Sequence, residues 1–224
     1  RVLHGVSLDV RAREITALVG ANGAGKSSTV MAIAGALPIA SGAVMLGARN
    51  LVGRAPDEIR RSGVAVVPEG HRVLGDLSVL DNLRVACLGL PRAEVADTIE
   101  RALAIFPDLR DRLALEARAL SGGQKQMVAM AQAFVARPSF LLVDELSLGL
   151  APLVVKRLAQ TLADVAASGV GVLLIEQFTT LALELATRAA VLERGAIVFS
   201  GSASELRARP EILHSAYLAA TKRS

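Results

Sequence analysis

A single cysteine, Cys87, leaves the chain unable to close an internal disulfide, which suits a reducing cytosol. Neither a zinc nor a haem spacing is present, and the three histidines, His4, His71 and His214, read as solvated or packed side chains. No apolar run approaches the ~20 residues of a membrane-spanning helix; charge, Gly or Pro breaks each one, despite a mean hydropathy of +0.47. The N-terminal residues do not read as a signal peptide. Lysine is scarce: Lys26, Lys125, Lys156 and Lys222 are the four. The net charge of +4 and pI near 9.8 come from arginines scattered over helix faces. With no basic block like a binding arm, nucleic acid is not an expected partner. Repeats, low-complexity runs and long linkers are also absent.

What remains is a 224-residue chain that is 52% hydrophobic, long enough for one large domain or a core with a subdomain. Short apolar runs read as strands: Val6–Val10, Ile15–Val19, Ala43–Leu46, Val64–Val67, Phe140–Val143, Val170–Ile175, Ala189–Leu192 and Ile197–Phe199. The last two flank a four-residue turn, Glu193–Ala196. Helical segments alternate with them: Ser27–Ala36, Pro56–Arg61, Leu153–Ala167, Leu181–Ala186 and a tail, Ser204–Ala220, interrupted by Pro210. Residues 72–137 have a different texture. They hold only helices, one capped by Ser78, one from Arg92 to Phe106 and one from Gln124 to Ala136. Uniformly apolar strands alternating with helices predict an α/β fold with a mainly parallel sheet covered on both faces. The helical block is expected as an insertion into it. Ligands of such sheets sit at the carboxyl ends of the strands.

One stretch organises the chain. Gly20-Ala21-Asn22-Gly23-Ala24-Gly25-Lys26-Ser27 fits G-x-x-x-x-G-K-[ST], between an apolar strand and a helix. Its glycines let backbone N–H groups turn inward around phosphate oxygens. The following helix points its positive end at the same spot. Lys26 is placed to reach the β- and γ-phosphates and the Ser27 hydroxyl to hold Mg²⁺. At the end of a later strand come Asp144 and Glu145. Such a pair after a phosphate loop suits a metal ligand and a base for an attacking water. Between them lies Leu120-Ser121-Gly122-Gly123-Gln124, with glycines and a serine at a helix N-terminus, a second anion site or an ordinary helix cap.

That order and spacing resemble the ATP-binding subunit of an ATP-binding cassette (ABC) transporter over nearly the whole chain. The resemblance implies a P-loop NTPase fold. A RecA-like core spans 1–71 and 138–224, with a β-subdomain, and a helical subdomain occupies 72–137. It implies ATP and Mg²⁺ as cofactors, with Gly20 to Ser28 on the nucleotide; Ser28 replaces the usual Thr and keeps a hydroxyl. Ser121, Gly122, Gly123 and Gln124 are implied to contact the γ-phosphate held by a second cassette subunit, in a head-to-tail homo- or heterodimer. Glu69, in Val67-Pro68-Glu69-Gly70, stands where Gln is usual. It reads either as a solvated loop residue or, the reading adopted, as a third group facing Mg²⁺ beside Ser27 and Asp144. Gln177 stands where His is usual; it does not titrate as His does, yet it donates and accepts. Glu145 and Gln177 are the expected catalytic pair. Leu146 replaces the family's usual Pro, so the turn after Glu145 is expected to be looser.

Glu69, Gln177 and Ser147-Leu148-Gly149-Leu150-Ala151-Pro152 look like one of the two cassette subunits of branched-chain amino acid importers. The implied function is ATP hydrolysis energising import through membrane permease subunits, with a periplasmic or surface solute-binding protein as an indirect partner. The implied location is peripheral, on the cytoplasmic face of the inner membrane. Permease helices are expected to dock between the core and the helical block, near Glu69–Leu80. Importers of urea and short amides are an alternative, and a nucleic-acid-associated ATPase with the same cassette is a further one. That family stacks adenine on an aromatic residue before the phosphate loop, but no Phe, Tyr or Trp precedes Phe106 here. Since the sequence starts at Arg1, the stacking residue is expected to lie outside it and ATP binding to be weak; otherwise aliphatic side chains hold the base.

Overall fold

The computed structural model describes residues 2–70 and 72–221; Arg1, His71 and Lys222, named above, lie outside the described residues. Its first elements are β1 (Ile15–Val19), α1 (Lys26–Ile33), β2 (Met45–Leu46), β3 (Arg49–Asn50), α2 (Pro56–Arg61) and β4 (Val64–Val67). The helical stretch follows as α3 (Val79–Ala86), α4 (Arg92–Ile105) and α5 (Gly122–Val135), with two short 3₁₀ turns between α4 and α5. The chain then continues through β5 (Phe140–Asp144), α6 (Pro152–Ala167), β6 (Gly171–Glu176), α7 (Thr179–Leu185), β7 (Arg188–Glu193), β8 (Ala196–Ser202), α8 (Ala203–Ala208) and α9 (Pro210–Thr221).

Among the described residues the main sheet has six strands in the order β4-β5-β6-β1-β7-β8. All neighbours pair in parallel except β7 and β8. The uniformly apolar strands are explained by what covers them. Ile15, Ala17 and Val19 of β1 face one core cluster with Leu141 and Val143 of β5 and Val172 and Leu174 of β6. The alternate residues Leu18, Leu142, Leu173 and Ile175 face a second cluster on the other side. Side chains of a strand point alternately to the two faces, so burying both favours apolar residues at successive positions; Thr16 of β1 is buried among them. The parallel order then brings the carboxyl ends of β1, β5 and β6 together as neighbours, and the loops leaving those three ends build the site.

Two sequence readings need correction. Val6–Val10 forms no ladder; Val6, Leu8 and Val10 pack against the second cluster while Ser7 and Asp9 face outward. Alternation records which face is buried and is indifferent to whether a neighbouring strand completes the hydrogen bonds. The β7–β8 turn is also tighter than four residues. The ladder runs up to the Glu193–Ala196 pair, leaving Arg194 and Gly195 at φ 46° and 79°, the double left-handed geometry of a two-residue hairpin.

In the helical stretch Ser78 caps α3 by accepting from the Asp81 amide at 3.0 Å, as its spacing predicts. Asn82, fully buried, accepts from the Leu74 amide at 2.8 Å and donates to the Leu74 carbonyl at 2.9 Å. The connection from β4 into the helices is thereby pinned to α3. The arginines lie scattered over the surface, several in exposed pairs such as Arg84–Asp81 and Arg110–Glu100, which contribute little to stability.

Candidate nucleotide site

Residues 20–25 leave β1 as a compact loop. Ala24 donates its amide to Ala21 O at 3.1 Å, and Gly23 and Gly25 take φ of 77° and 109°. Gly25 caps α1 with no side chain over it, so the first amides of the helix stay open to a ligand. Lys26, 6% exposed, folds back and donates through Nζ to Gly20 O at 2.7 Å and Ala21 O at 3.1 Å. Burial lowers its pKa, and the nearby Glu145, Asp144 and Glu176 carboxylates oppose that shift.

The loop also leans on a part of the chain that local pattern does not reveal. The Gly195 amide of the β7–β8 turn donates to Ala24 O at 2.8 Å, and the His4 amide donates to Gly195 O at 2.7 Å. A Cβ on Gly20 would lie 2.1 Å from Leu192 O of β7, while one on Gly23 would meet nothing within 4 Å. Gly20→Ala is therefore expected to displace loop and strand together and destabilise by about 1–3 kcal/mol. Gly23→Ala carries only the left-handed backbone cost of about 1–2 kcal/mol. Thermal melts of the two variants check this: Gly20→Ala should melt lower, and equal melting points would remove the close approach to β7 as the reason for Gly20.

The end of β5 supplies the carboxylates. Ser27 donates through Oγ to Asp144 Oδ1 at 3.4 Å. Burial raises the Asp144 pKa, the Ser27 hydrogen bond opposes this, and the charges of Glu145 and Glu69 add to the rise. Exposed Glu69 thus lies within electrostatic reach of Asp144. Glu145 has a left-handed backbone, φ 56°, and its Oε1 accepts from Gln177 Nε2 at 2.8 Å. The expected pair is therefore in direct contact. The expected loose turn after Glu145 is not found: Leu146 is fully buried and belongs to the main core cluster. An apolar side chain inserted there holds the turn by packing where a proline would hold it by its ring.

Loop amides, an ammonium group and two hard oxygen ligands suit a polyphosphate carrying Mg²⁺. That ion is usually held by one or two carboxylates with phosphate oxygens and water completing the shell. Among the described residues no group of three or more His, Cys, Asp or Glu converges on a metal position.

Ser121–Gln124 stand apart from this cluster, and their side-chain hydrogen bonds run to one another. The Ser121 amide donates to Gln124 Oε1 at 2.9 Å and the Gln124 amide to Ser121 Oγ at 3.4 Å, a capping box on α5. Gly123 is needed for packing as well, since a Cβ there would lie 2.2 Å from Val154 Cγ1 of α6. Two further contacts at the site carry no signal in the sequence, although Ser147 itself begins the stretch Ser147–Pro152 quoted above. Ser147 and Glu176 bond one another across the ends of β5 and β6. Tyr217 of α9, the chain's single tyrosine, donates to Gln177 O at 3.4 Å. Burial raises its pKa and the Gly20 amide opposes that shift. Next to Gly25 the chain presents aliphatic groups: a Cβ on Gly25 would meet Leu3 Cδ2 at 2.8 Å and Val2 Cγ1 at 3.4 Å.

The family model described as ABC transporter matches residues 3–147. The chain is 39% identical over 218 residues to the high-affinity branched-chain amino acid transport ATP-binding protein BraG of Pseudomonas aeruginosa, covering 97% of this chain and 93% of the relative. It is 35% identical over 209 residues to the probable branched-chain amino acid transport ATP-binding protein LivF of Archaeoglobus fulgidus, covering 92% and 87%. Among solved structures, an ATP-binding subunit of an ABC transporter superposes with a TM-score of 0.81 at 30% identity, covering 99% of this chain and 93% of that one.

Proposed function

The chain belongs to the ABC transporter family, whose ATP-binding cassettes hydrolyse ATP to power transport, and on that premise we propose that it energises import of branched-chain amino acids through a membrane permease. The observation that carries the hydrolytic part is the Glu145–Gln177 contact of 2.8 Å beside the Ser27–Asp144 pair. The relatives named for branched-chain amino acid transport support the solute class.

In this reading the amides of 20–25 and Lys26 Nζ hold the β- and γ-phosphates, and Ser28 adds a hydroxyl. Ser27 and Asp144 would hold Mg²⁺, with Glu69 as a further oxygen group facing the ion or its water, and the ion would neutralise charge at the phosphates. Glu145 takes the proton of the attacking water. Gln177 holds the Glu145 carboxylate through one N–H, leaving its second N–H for the γ-phosphate and its carbonyl for the water. Ser121, Gly122, Gly123 and Gln124 act in trans on the site of a second cassette subunit. In the described chain they are folded into a capping box in which the Ser121 hydroxyl accepts, so its own hydrogen stays available to a phosphate oxygen, while freeing the Gln124 side chain means opening its 2.9 Å bond to the Ser121 amide. Closure of that dimer on ATP and its release after hydrolysis drive the permease.

No helix among the described residues is long and apolar enough to cross a membrane, so the permease is expected to supply the spanning helices and this chain to dock on their cytoplasmic face. A groove of about 450 Å³ between α1, α2, β4 and the helical stretch suits that contact. It is lined by Met31, Ile59, Arg60, Arg72, Ala86 and Gln132 among others.

The test is uptake by vesicles holding the permease, both cassettes and the binding protein. Expected is ATP-dependent accumulation of leucine, isoleucine or valine. Uptake of urea or a short amide instead would move the solute class, and uptake of neither would sink the importer reading.

A further inference from the structure

We infer that Glu176 is a positioning residue for hydrolysis, a buried brace that holds Glu145 and Gln177 in register by gripping Ser147. The inference rests on the hydrolytic reading of Glu145 given above.

Glu176 ends β6 and is 1% exposed. Its Oε1 accepts the Ser147 amide at 2.9 Å and its Oε2 accepts the Ser147 hydroxyl at 2.9 Å. The Phe178 amide is a further donor to it, and these donors oppose the rise in pKa that burial causes. A carboxylate is costly at such a place unless its oxygens are satisfied. Here its bonds come from neutral donors in the two loops that carry the reacting pair. One is the loop after β5, with Glu145 two residues before Ser147. The other is the turn after β6, with Gln177 next to Glu176.

Three successive residues of β6 and its exit grip the same loop. Ile175 O accepts the Glu145 amide at 3.0 Å, Glu176 holds Ser147, and Gln177 Nε2 donates to Glu145. The residue held between them is the one with the left-handed backbone. A non-glycine residue persists in that region only where its surroundings over-determine it. Leu146 anchors the loop from the core side and Glu176 from the sheet side. Ser147 presents its amide and its hydroxyl to one group, and the carboxylate accepts both through charge-assisted bonds. A glutamine at 176 keeps the volume but accepts only from the amide; the hydroxyl has to turn round to accept from its NH2, and both bonds become the weaker neutral kind.

The test compares steady-state ATPase of the assembled transporter carrying Glu176→Gln, Ser147→Ala, both changes together, or Ser147→Thr. A reacting pair displaced by about 1 Å loses on the order of 100-fold in rate. Glu176→Gln is therefore expected to lower kcat by roughly 10- to 100-fold with KM for ATP little changed, because the bonds that close the phosphate loop, Lys26 Nζ to Gly20 O and Ala21 O, do not involve Glu176. Ser147→Ala is expected to lower kcat less, the double variant to lose little beyond Glu176→Gln, and Ser147→Thr, which keeps both donors, to turn over near the wild-type rate. If Glu176→Gln does not fold, Ser147→Ala decides alone through the same kcat and KM split. Wild-type kcat in Ser147→Ala, additive losses in the double variant, or a loss carried by KM would overturn the brace. Full turnover by Glu145→Gln would instead overturn the hydrolytic reading beneath it.

Discussion

Glu145→Gln is expected to lower ATP turnover in the assembled complex by about 10²- to 10⁴-fold, the range of a lost general base, while ATP still binds. The substitution is nearly isosteric, and the new amide oxygen still accepts from Gln177 Nε2, so the 2.8 Å contact and the left-handed backbone at 145 have no reason to change. What is lost is the capacity to take a proton. Binding persists because the loop amides and the hydrogen bonds of Lys26 to Gly20 O and Ala21 O do not involve Glu145. It is further favoured by the removal of one negative charge from beside Asp144, whose pKa Glu145 helps to raise. Phosphate release measures the first effect and titration calorimetry the second. Wild-type turnover would sink the role of Glu145, and loss of both binding and turnover would mark it as a structural residue of the loop.

The contiguous parts of this site are legible in the sequence, and the parts assembled by folding are not. Gly20–Ser28 and Asp144–Glu145 declare themselves because glycine spacing, an apolar run and two carboxylates are local facts. The parallel order of the sheet, inferred from uniformly apolar strands, correctly predicts that both stretches end on one side. Nothing local pairs Ser147 with Glu176, 29 residues away, or brings Tyr217 to Gln177, 40 residues away. Those contacts depend on which strands become neighbours in the sheet. Gly123 shows a different limit. A signature glycine at a helix start reads as an anion-binding residue, yet Val154 sits where its side chain would be. Sequence cannot apportion one glycine between helix packing and a ligand. Leu146 misleads for a related reason: a missing proline suggests freedom only until the core cluster that holds the leucine is known.

Lys26→Met is the substitution expected to remove binding itself. Lys26 Nζ already has partners, the carbonyls of Gly20 and Ala21 at 2.7 and 3.1 Å, so its ammonium both closes the loop and waits beside the phosphate position. Methionine fills much the same length without donor or charge. The ammonium has three N–H groups and two serve the loop, so the phosphates lose one charge-assisted hydrogen bond, worth about 1.5–3 kcal/mol, and the two loop carbonyls lose their donor. From the phosphate bond alone the affinity for ATP is expected to fall by about 10- to 100-fold, at roughly 1.4 kcal/mol per tenfold, with the loss of loop closure adding to it. Arginine is a poor rescue, because a planar fork has to fit where a compact ammonium is 6% exposed. Glu145→Gln and Lys26→Met therefore fail in opposite ways, the first at kcat with ATP bound and the second at binding. Titration calorimetry separates them. Unchanged affinity in Lys26→Met would mean that the loop amides alone hold the nucleotide and that the lysine serves only to close the loop.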